Sequence, residues 1–174
     1  MDAVTVLRQE MEQVHGGLMR ELEGLSFQHL IYRPAPDAST IAFVSWHILR
    51  TLDDAAHMVV PKESRPNLWE HAGWRERFGF SEEQTGTGTG FTAEQVGQLR
   101  PSLALLTEYA EAVLATIAPA FEGLTEADLD QVTDPERPRL TLARRLQVFI
   151  VGHTYSHLGD VRFLKGLQGM PFPL

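Results

Sequence analysis

Four segments of the chain place apolar residues three and four positions apart, the spacing that lines one face of an α-helix. The segments cover residues 2–28, 39–60, 92–119 and 140 to about 166–169, and stretches rich in Pro and Gly separate them. No segment shows sustained alternation of apolar and polar residues, so the pattern predicts no β-sheet. We therefore expect an all-α fold, a four-helix bundle whose apolar faces share one core.

The connection between the second and third predicted helices is the longest, at residues 61–91. A connection of that length usually has a function or carries its own structure. Its apolar and aromatic residues predict a short helix over residues 67–78 that lies over the bundle. Threonine and glycine alternate over residues 85–90, but no apolar strand precedes them and no Lys-Ser/Thr pair follows, so we interpret this stretch as a flexible connection rather than a phosphate-binding loop.

Length and charge narrow the class of protein. The 174 residues fit a single domain spanning 1–174. The net charge of −8 disfavours a nucleic-acid partner, because such proteins usually present a basic face. No apolar run approaches the roughly 20 residues that span a membrane, and the N-terminus lacks the basic and apolar regions of a secretory signal. We expect a cytoplasmic protein with no membrane partner.

The chain contains no cysteine and seven histidines. The missing thiols exclude disulfides, zinc ribbons, iron–sulfur clusters and a cysteine nucleophile. Any metal ion must therefore be held by histidine or carboxylate side chains, which makes the positions of the histidines the next question.

Three histidines fall on the apolar stripes of two predicted helices. His153 and His157 stand four residues apart in the fourth helix, so both imidazoles lie on one face, one turn apart. His47 occupies a similar position in the second helix. Buried imidazoles need polar partners, and a shared metal ion would supply one; the alternative, a core histidine bonded to a backbone carbonyl, stays open at this point. The zinc-protease pattern HExxH is absent, because Thr154 follows His153. The other four histidines fall on predicted exposed faces or loops: His15, His29, His57 and His71.

The chain resembles the DinB-like superfamily of metal-binding four-helix bundles, which includes thiol-dependent transferases. The resemblance covers nearly the whole chain and rests on residues 45–51 with Asp53–Asp54, on residues 67–74 and 91–96, and on residues 153–169. It implies that His47, His153 and His157 bind a divalent metal ion: nickel, zinc or iron, which the sequence does not distinguish. It also implies a homodimer.

The resemblance predicts a metalloenzyme that acts on a small molecule, a thiol-dependent S-transferase or isomerase that uses a low-molecular-weight thiol as co-substrate. Two alternatives stay open. One is a metal-dependent hydrolase, and the other is a non-catalytic, stress-associated protein that binds a metal or small ligand.

Three further residues are candidates for supporting roles. Asp54 lies seven residues after His47 and shares its helix face, so it either lines the cleft or acts through water. Asp160, three residues after His157, is placed to orient an imidazole. Each of these carboxylates has an ordinary alternative as a solvated or capping group. Arg50 is a candidate for binding a substrate carboxylate, and the alternative for it is a surface charge.

Overall fold

The structure is a computed structural model that describes residues 2–61, 63–81 and 86–171. Its α-helices are α1 Ala3–Leu22, α2 Phe27–Ile31, α3 Ile41–Asp54, α4 Leu68–His71, α5 Trp74–Arg77, α6 Ala93–Gln98, α7 Leu103–Ala120, α8 Glu126–Leu129, α9 Leu142–Arg144 and α10 His153–Leu167. Two segments are π-helical: Ala55–Val59 continues α3, and Arg145–Gly152 joins α9 to α10. The predicted all-α fold is confirmed, because the described residues form helices and turns and no strand beyond one bridge between Val132 and Thr141.

The long helices pack against one another around one apolar core. Helix α3 contacts α10 and α7, and α1 contacts α7 and α10. Gly17 lies in close contact with α10, since a Cβ atom there would stand 2.8 Å from Leu158 Cδ2. The glycine that weakens α1 as an isolated helix therefore allows the close packing that stabilises it in the fold.

Proline and glycine divide three of the predicted segments more finely than periodicity suggests. The predicted helix 92–119 is wrong as one element, because α6 ends at Gln98 and α7 begins at Leu103. Pro101 explains the break, since it has no backbone N–H and pushes the preceding residue out of the helical region. Gly24 similarly ends the first segment with φ +72°, and Gly73, with φ +73°, divides the predicted helix 67–78 into α4 and α5.

The π-helical turns of residues 145–152 change which side chains face the core. A steady α-helical spacing predicts Phe149 inside, yet its side chain is 51 % exposed. Hydrogen bonds from residue i to i+5 widen each turn, so the register set by Leu146 no longer brings Phe149 inward. The hydroxyl of Thr154 donates to the Ile150 and Val151 carbonyls at the end of this segment.

A buried ionic cluster ties α1 to α10. The Glu21 carboxylate accepts from Lys165 Nζ at 2.8 Å and from Arg162 Nε at 2.8 Å. Although burial acts to raise it, the pKa of Glu21 is lowered by these two cations. The cluster holds the C-terminal half of α10 in register with α1.

A second buried network centres on Arg50, which we predicted from the sequence to be either a surface charge or a residue that binds a substrate carboxylate. The surface prediction is wrong: Arg50 has no exposed surface, and its guanidinium donates to Asp53 and Asp54, each at 3.0 Å. The Tyr109 hydroxyl donates to Asp53 Oδ2 at 2.7 Å. The same carboxylate accepts from the backbone N–H groups of Leu68 and Trp69 at 3.0 Å. The network therefore joins α3, α4 and α7.

Replacing Tyr109 with phenylalanine tests this network. Tyr109→Phe removes a buried donor to Asp53, and we expect it to lower the free energy of unfolding by about 1–3 kcal/mol. Denaturant titration measures this value. Tyr32→Phe, which changes a 37 % exposed ring, is the matched control and should leave stability near that of the wild type. Equal stability of the two variants would contradict the structural role given to the hydroxyl.

Two of the histidines expected on exposed faces are buried. His15 is 3 % exposed and donates through Nε2 to the Ala110 carbonyl at 2.8 Å. His57 is 4 % exposed and donates through Nδ1 to the Asp53 backbone carbonyl at 2.9 Å, with Asp53 Oδ1 at 3.0 Å. Burial lowers the pKa of His15. Burial also acts to lower the pKa of His57, but the hydrogen bonds and charge of Asp53 raise it overall.

These opposite pKa shifts predict that the contributions of His15 and His57 to the free energy of unfolding change in opposite directions with pH. Below the unfolded-state pKa of about 6.5, unfolded chains take up a proton at residue 15 that the folded protein resists, so His15 costs stability in acid. His57 contributes stability that is fully present below that pKa and is lost as the pH rises through its higher folded value. The stability advantage of wild type over His15→Gln should therefore shrink from about pH 7.5 to about 5.5, and the advantage over His57→Gln should grow. Urea unfolding at several pH values measures both; the same sign for both variants would contradict the assignment.

Among the described helices, α7 is long and apolar enough to cross a membrane by length and composition, with a mean hydropathy of 1.3 over 18 residues. Core helices of soluble proteins share this property. Leu106, Ala110, Val113 and Ile117 form a buried face on it, and the helix packs against α1 and α3. The chain looks like a soluble helical domain, and the cytoplasmic location stays a prediction.

Candidate metal centre

His47 lies in α3 with its ring fixed from both sides. Its Nδ1 donates to the backbone carbonyl of Thr87 at 2.7 Å. Phe43, one turn earlier, stacks on the imidazole with ring centroids 6.1 Å apart and planes 4° from parallel. Since a carbonyl oxygen can only accept, the hydrogen of the neutral ring is on Nδ1 and the lone pair is on Nε2. Helix α3 and the loop after residue 85 together aim that lone pair toward α10.

His153 and His157 lie in the first turns of α10, where the π-helical segment gives way to α-helix. His157 Nδ1 donates to the Asp160 carboxylate at 2.9 Å, so the lone pair of its neutral ring is also on Nε2. His153 Nδ1 is buried and has no hydrogen-bond partner among the described residues. π-Helical turns inside α-helices occur frequently at functional sites. Here the π-helical segment Arg145–Gly152 ends directly before His153.

The three Nε2 atoms converge. His153 Nε2 lies 3.3 Å from His47 Nε2 and 3.1 Å from His157 Nε2. Hydrogen bonding alone leaves this arrangement unsatisfied, because two of the three nitrogens present lone pairs and a neutral His153 carries only one hydrogen. If that hydrogen is on Nε2, it forms a hydrogen bond to either His47 Nε2 or His157 Nε2, and the other lone pair has no donor. If it is on Nδ1, three lone pairs face one another.

A metal ion fits these residues. With metal–nitrogen bonds of about 2.0–2.1 Å, neighbouring ligand nitrogens stand about 2.8–3.4 Å apart for angles between a right angle and a tetrahedral one. The two Nε2 separations, 3.1 and 3.3 Å, agree with that range. The three histidines form a group able to hold a metal ion, with ligand atoms all within 4.8 Å of one another.

The electrostatics of the site favour neutral imidazoles, the form that binds metal ions. Burial lowers the pKa of His47; the hydrogen bond to the Thr87 carbonyl acts to raise it, and the charge of a protonated His157 acts to lower it. Burial, followed by the charges of His157 and His47, lowers the pKa of His153 to about 4. Both rings are therefore neutral near pH 7, with lone pairs available for coordination.

The predicted supporting residues fall in two different places. Asp160 is beside His157, as the spacing indicates. Asp54 instead accepts from Arg50 Nη2 at 3.0 Å and from Asn67 Nδ2 at 2.7 Å, and burial raises its pKa. Arg50 is enclosed in the same network. These contacts give both residues a structural role. The role of Asp54 in lining the cleft or acting through water and the role of Arg50 in binding a substrate carboxylate stay predictions.

The Thr87 carbonyl is the part of the site that sequence reasoning missed. Of the stretch interpreted as a flexible connection, Thr85 lies outside the described residues, and Thr87 and Gly88 contact α3. Gly88 has φ +93°, and a Cβ atom there would stand 2.6 Å from Trp46 Cζ3. A backbone carbonyl leaves no signature in side-chain chemistry; the available signal was the glycine alternation, which indicates close backbone approach as well as flexibility.

An all-helical fold that brings three histidines together from facing helices is the arrangement in which helical bundles hold metal ions. The sequence model of the DinB superfamily matches residues 10–161. The chain therefore belongs to the DinB superfamily.

The fold has a similar solved structure. A crystal structure of a conserved protein from Enterococcus faecalis superposes with a TM-score of 0.80, at 22 % sequence identity, over 95 % of this chain and 96 % of that one. At this identity the likeness concerns the fold. The comparison with curated proteins gave no match.

Proposed function

We propose that His47, His153 and His157 bind one divalent metal ion and that the protein is a metal-dependent enzyme, a thiol-dependent S-transferase or isomerase. The observation that carries the proposal is the convergence of the three Nε2 atoms at 3.1 and 3.3 Å. Three histidine ligands leave coordination positions open, which is typical of catalytic rather than structural metal sites.

Nitrogen donors suit nickel, zinc and iron alike. When bound, such an ion would act as a Lewis acid that lowers the pKa of a coordinated thiol and so supplies an anionic nucleophile at neutral pH. Because the chain has no cysteine, the reacting sulfur would have to arrive with a substrate. The preference for a thiol over water comes from the family resemblance.

The chain's own residues position the ligands. Asp160 accepts the Nδ1 hydrogen of His157 and the Thr87 carbonyl accepts that of His47, so each hydrogen bond fixes a tautomer and a ring orientation. Phe43 covers one face of His47 and restricts its rotation. The His157 side chain is 29 % exposed, which leaves one side of the site open to a small-molecule substrate. We also propose that the protein is a homodimer, as the family resemblance implies.

Metal content tests the site. Tag-free protein purified from medium supplemented with nickel, zinc and iron should contain about one metal ion per chain by elemental analysis, as three converging ligands require. His47→Ala should lose that ion, because two histidines on one helix make a much weaker site.

His71→Ala is the matched control, since it removes an exposed histidine outside the triad and should keep the metal. Circular dichroism of all three proteins separates loss of the ligand from loss of the fold. Equal metal content in wild type and His47→Ala would contradict the triad.

Substrate dependence tests the reaction. The metal-loaded protein should consume an electrophile such as an alkyl halide or epoxide only when a low-molecular-weight thiol is supplied, and chelation of the metal should abolish the reaction. Liquid chromatography with mass spectrometry measures the thioether formed. Turnover of esters or amides without thiol would instead indicate a hydrolase. Absence of turnover across both panels would favour the non-catalytic binding protein.

A further inference from the structure

We infer that the loop of residues 86–91 is a positioning element of the metal site: the Thr87 backbone carbonyl sets the tautomer and orientation of His47, and Gly88 allows the loop close enough to do so. The inference rests on the proposed metal site and identifies the part of the chain, outside the three ligands, on which the strength of that site depends.

The hydrogen bond between His47 and Thr87 sets the tautomer of His47. His47 Nδ1 stands 2.7 Å from the Thr87 carbonyl oxygen, and this acceptor fixes the ring hydrogen on Nδ1. The lone pair is thereby kept on Nε2, which faces His153 Nε2 at 3.3 Å. If the acceptor moved away, the ring could carry its hydrogen on Nε2 and present no lone pair to the other two histidines.

Gly88, which follows Thr87, lies too close to α3 to carry a side chain. Its φ of +93° suits glycine, and a Cβ atom there would stand 2.6 Å from Trp46 Cζ3 and 3.1 Å from Phe43 Cε2 and Cζ. Trp46 cannot yield easily, because it is fully buried and packs on Trp69 and Phe80 with ring centroids 5.4 and 5.1 Å away. Any side chain at residue 88 therefore has to push the loop away from α3, and the Thr87 carbonyl moves with it.

A backbone hydrogen bond and the ring of Phe91 hold the loop in place. The Phe91 amide donates to the Gly88 carbonyl at 3.1 Å, which closes the turn. The Phe91 ring lies 6.1 Å from the Phe43 ring and 5.9 Å from the Trp46 ring. The loop therefore packs on Phe43 and Trp46, the α3 side chains that flank the helical position of His47.

The chain supplies a matched pair of variants for the test. Gly88→Ala introduces both an unfavourable φ and the contact with Trp46. Gly90→Ala introduces an equally unfavourable φ of +83° but meets nothing within 4 Å. Thr87→Ala alters the side chain and keeps the carbonyl. Zinc affinity, measured by competition with a chromogenic chelator, should fall about 10–100-fold for Gly88→Ala, the usual cost of losing an orienting partner, and should match wild type for the other two.

A second measurement requires no variant and guards against misfolding of Gly88→Ala. Nitrogen-15 NMR of the imidazoles in zinc-free wild type should show His47 with its hydrogen on Nδ1 and an unprotonated Nε2. A His47 ring in the other tautomer would overturn the inference, whatever the variants do.

The outcomes separate this inference from the proposed function. If His47→Ala loses zinc while Gly88→Ala and Gly90→Ala bind it as wild type does, the metal site stands and the role of the loop is wrong. Equal weakening by Gly88→Ala and Gly90→Ala would also overturn the inference, because backbone strain rather than the contact with Trp46 would then be the cause. If wild type binds no zinc, nickel or iron, both proposals fail.

Discussion

The packing of α3 against α10 is the constraint on which the site depends. His47 comes from one helix and His153 and His157 come from the other, so the three Nε2 atoms converge only if the two helices are correctly placed along and around each other. Two sets of contacts fix α10: Gly17 brings α1 close to it at Leu158, and the ionic cluster at Glu21 holds its far end. A site that holds three imidazoles at this spacing is preorganised, because the core rather than a ligand brings the residues together.

Helix α3 carries two polar groups that serve different purposes. His47 faces α10 at the candidate metal centre, whereas Arg50 and Asp53 form a buried network with Tyr109 on α7 and with the start of α4. The network fixes the beginning of the long connection that returns at residues 86–91, where Thr87 meets His47. One helix thus contacts the connection at both ends, through the network at Leu68 and Trp69 and through the hydrogen bond between His47 and Thr87.

The sequence predicted the elements with a side-chain signature and missed those that depend on backbone geometry. Apolar spacing was sufficient for the all-α fold, and the four-residue spacing of His153 and His157 was sufficient to place them together on one face of α10. Periodicity failed at Phe149, because π-helical turns shift the register. It also failed at Arg50, because a charged residue is ordinarily exposed and the sequence gives no sign of its buried partners. The Thr87 carbonyl was out of reach of pattern analysis, since every residue has one.

The central claim is that one metal ion binds all three histidines through Nε2. X-ray absorption spectroscopy of the zinc-loaded protein at the zinc edge tests it most directly, because the fine structure reports the number of imidazole ligands and their distances. The account predicts three imidazole ligands at about 2.0–2.1 Å, with any remaining ligands supplied by solvent or added thiol. A spectrum with two or fewer imidazoles, or with a shell dominated by carboxylate oxygens, would contradict it.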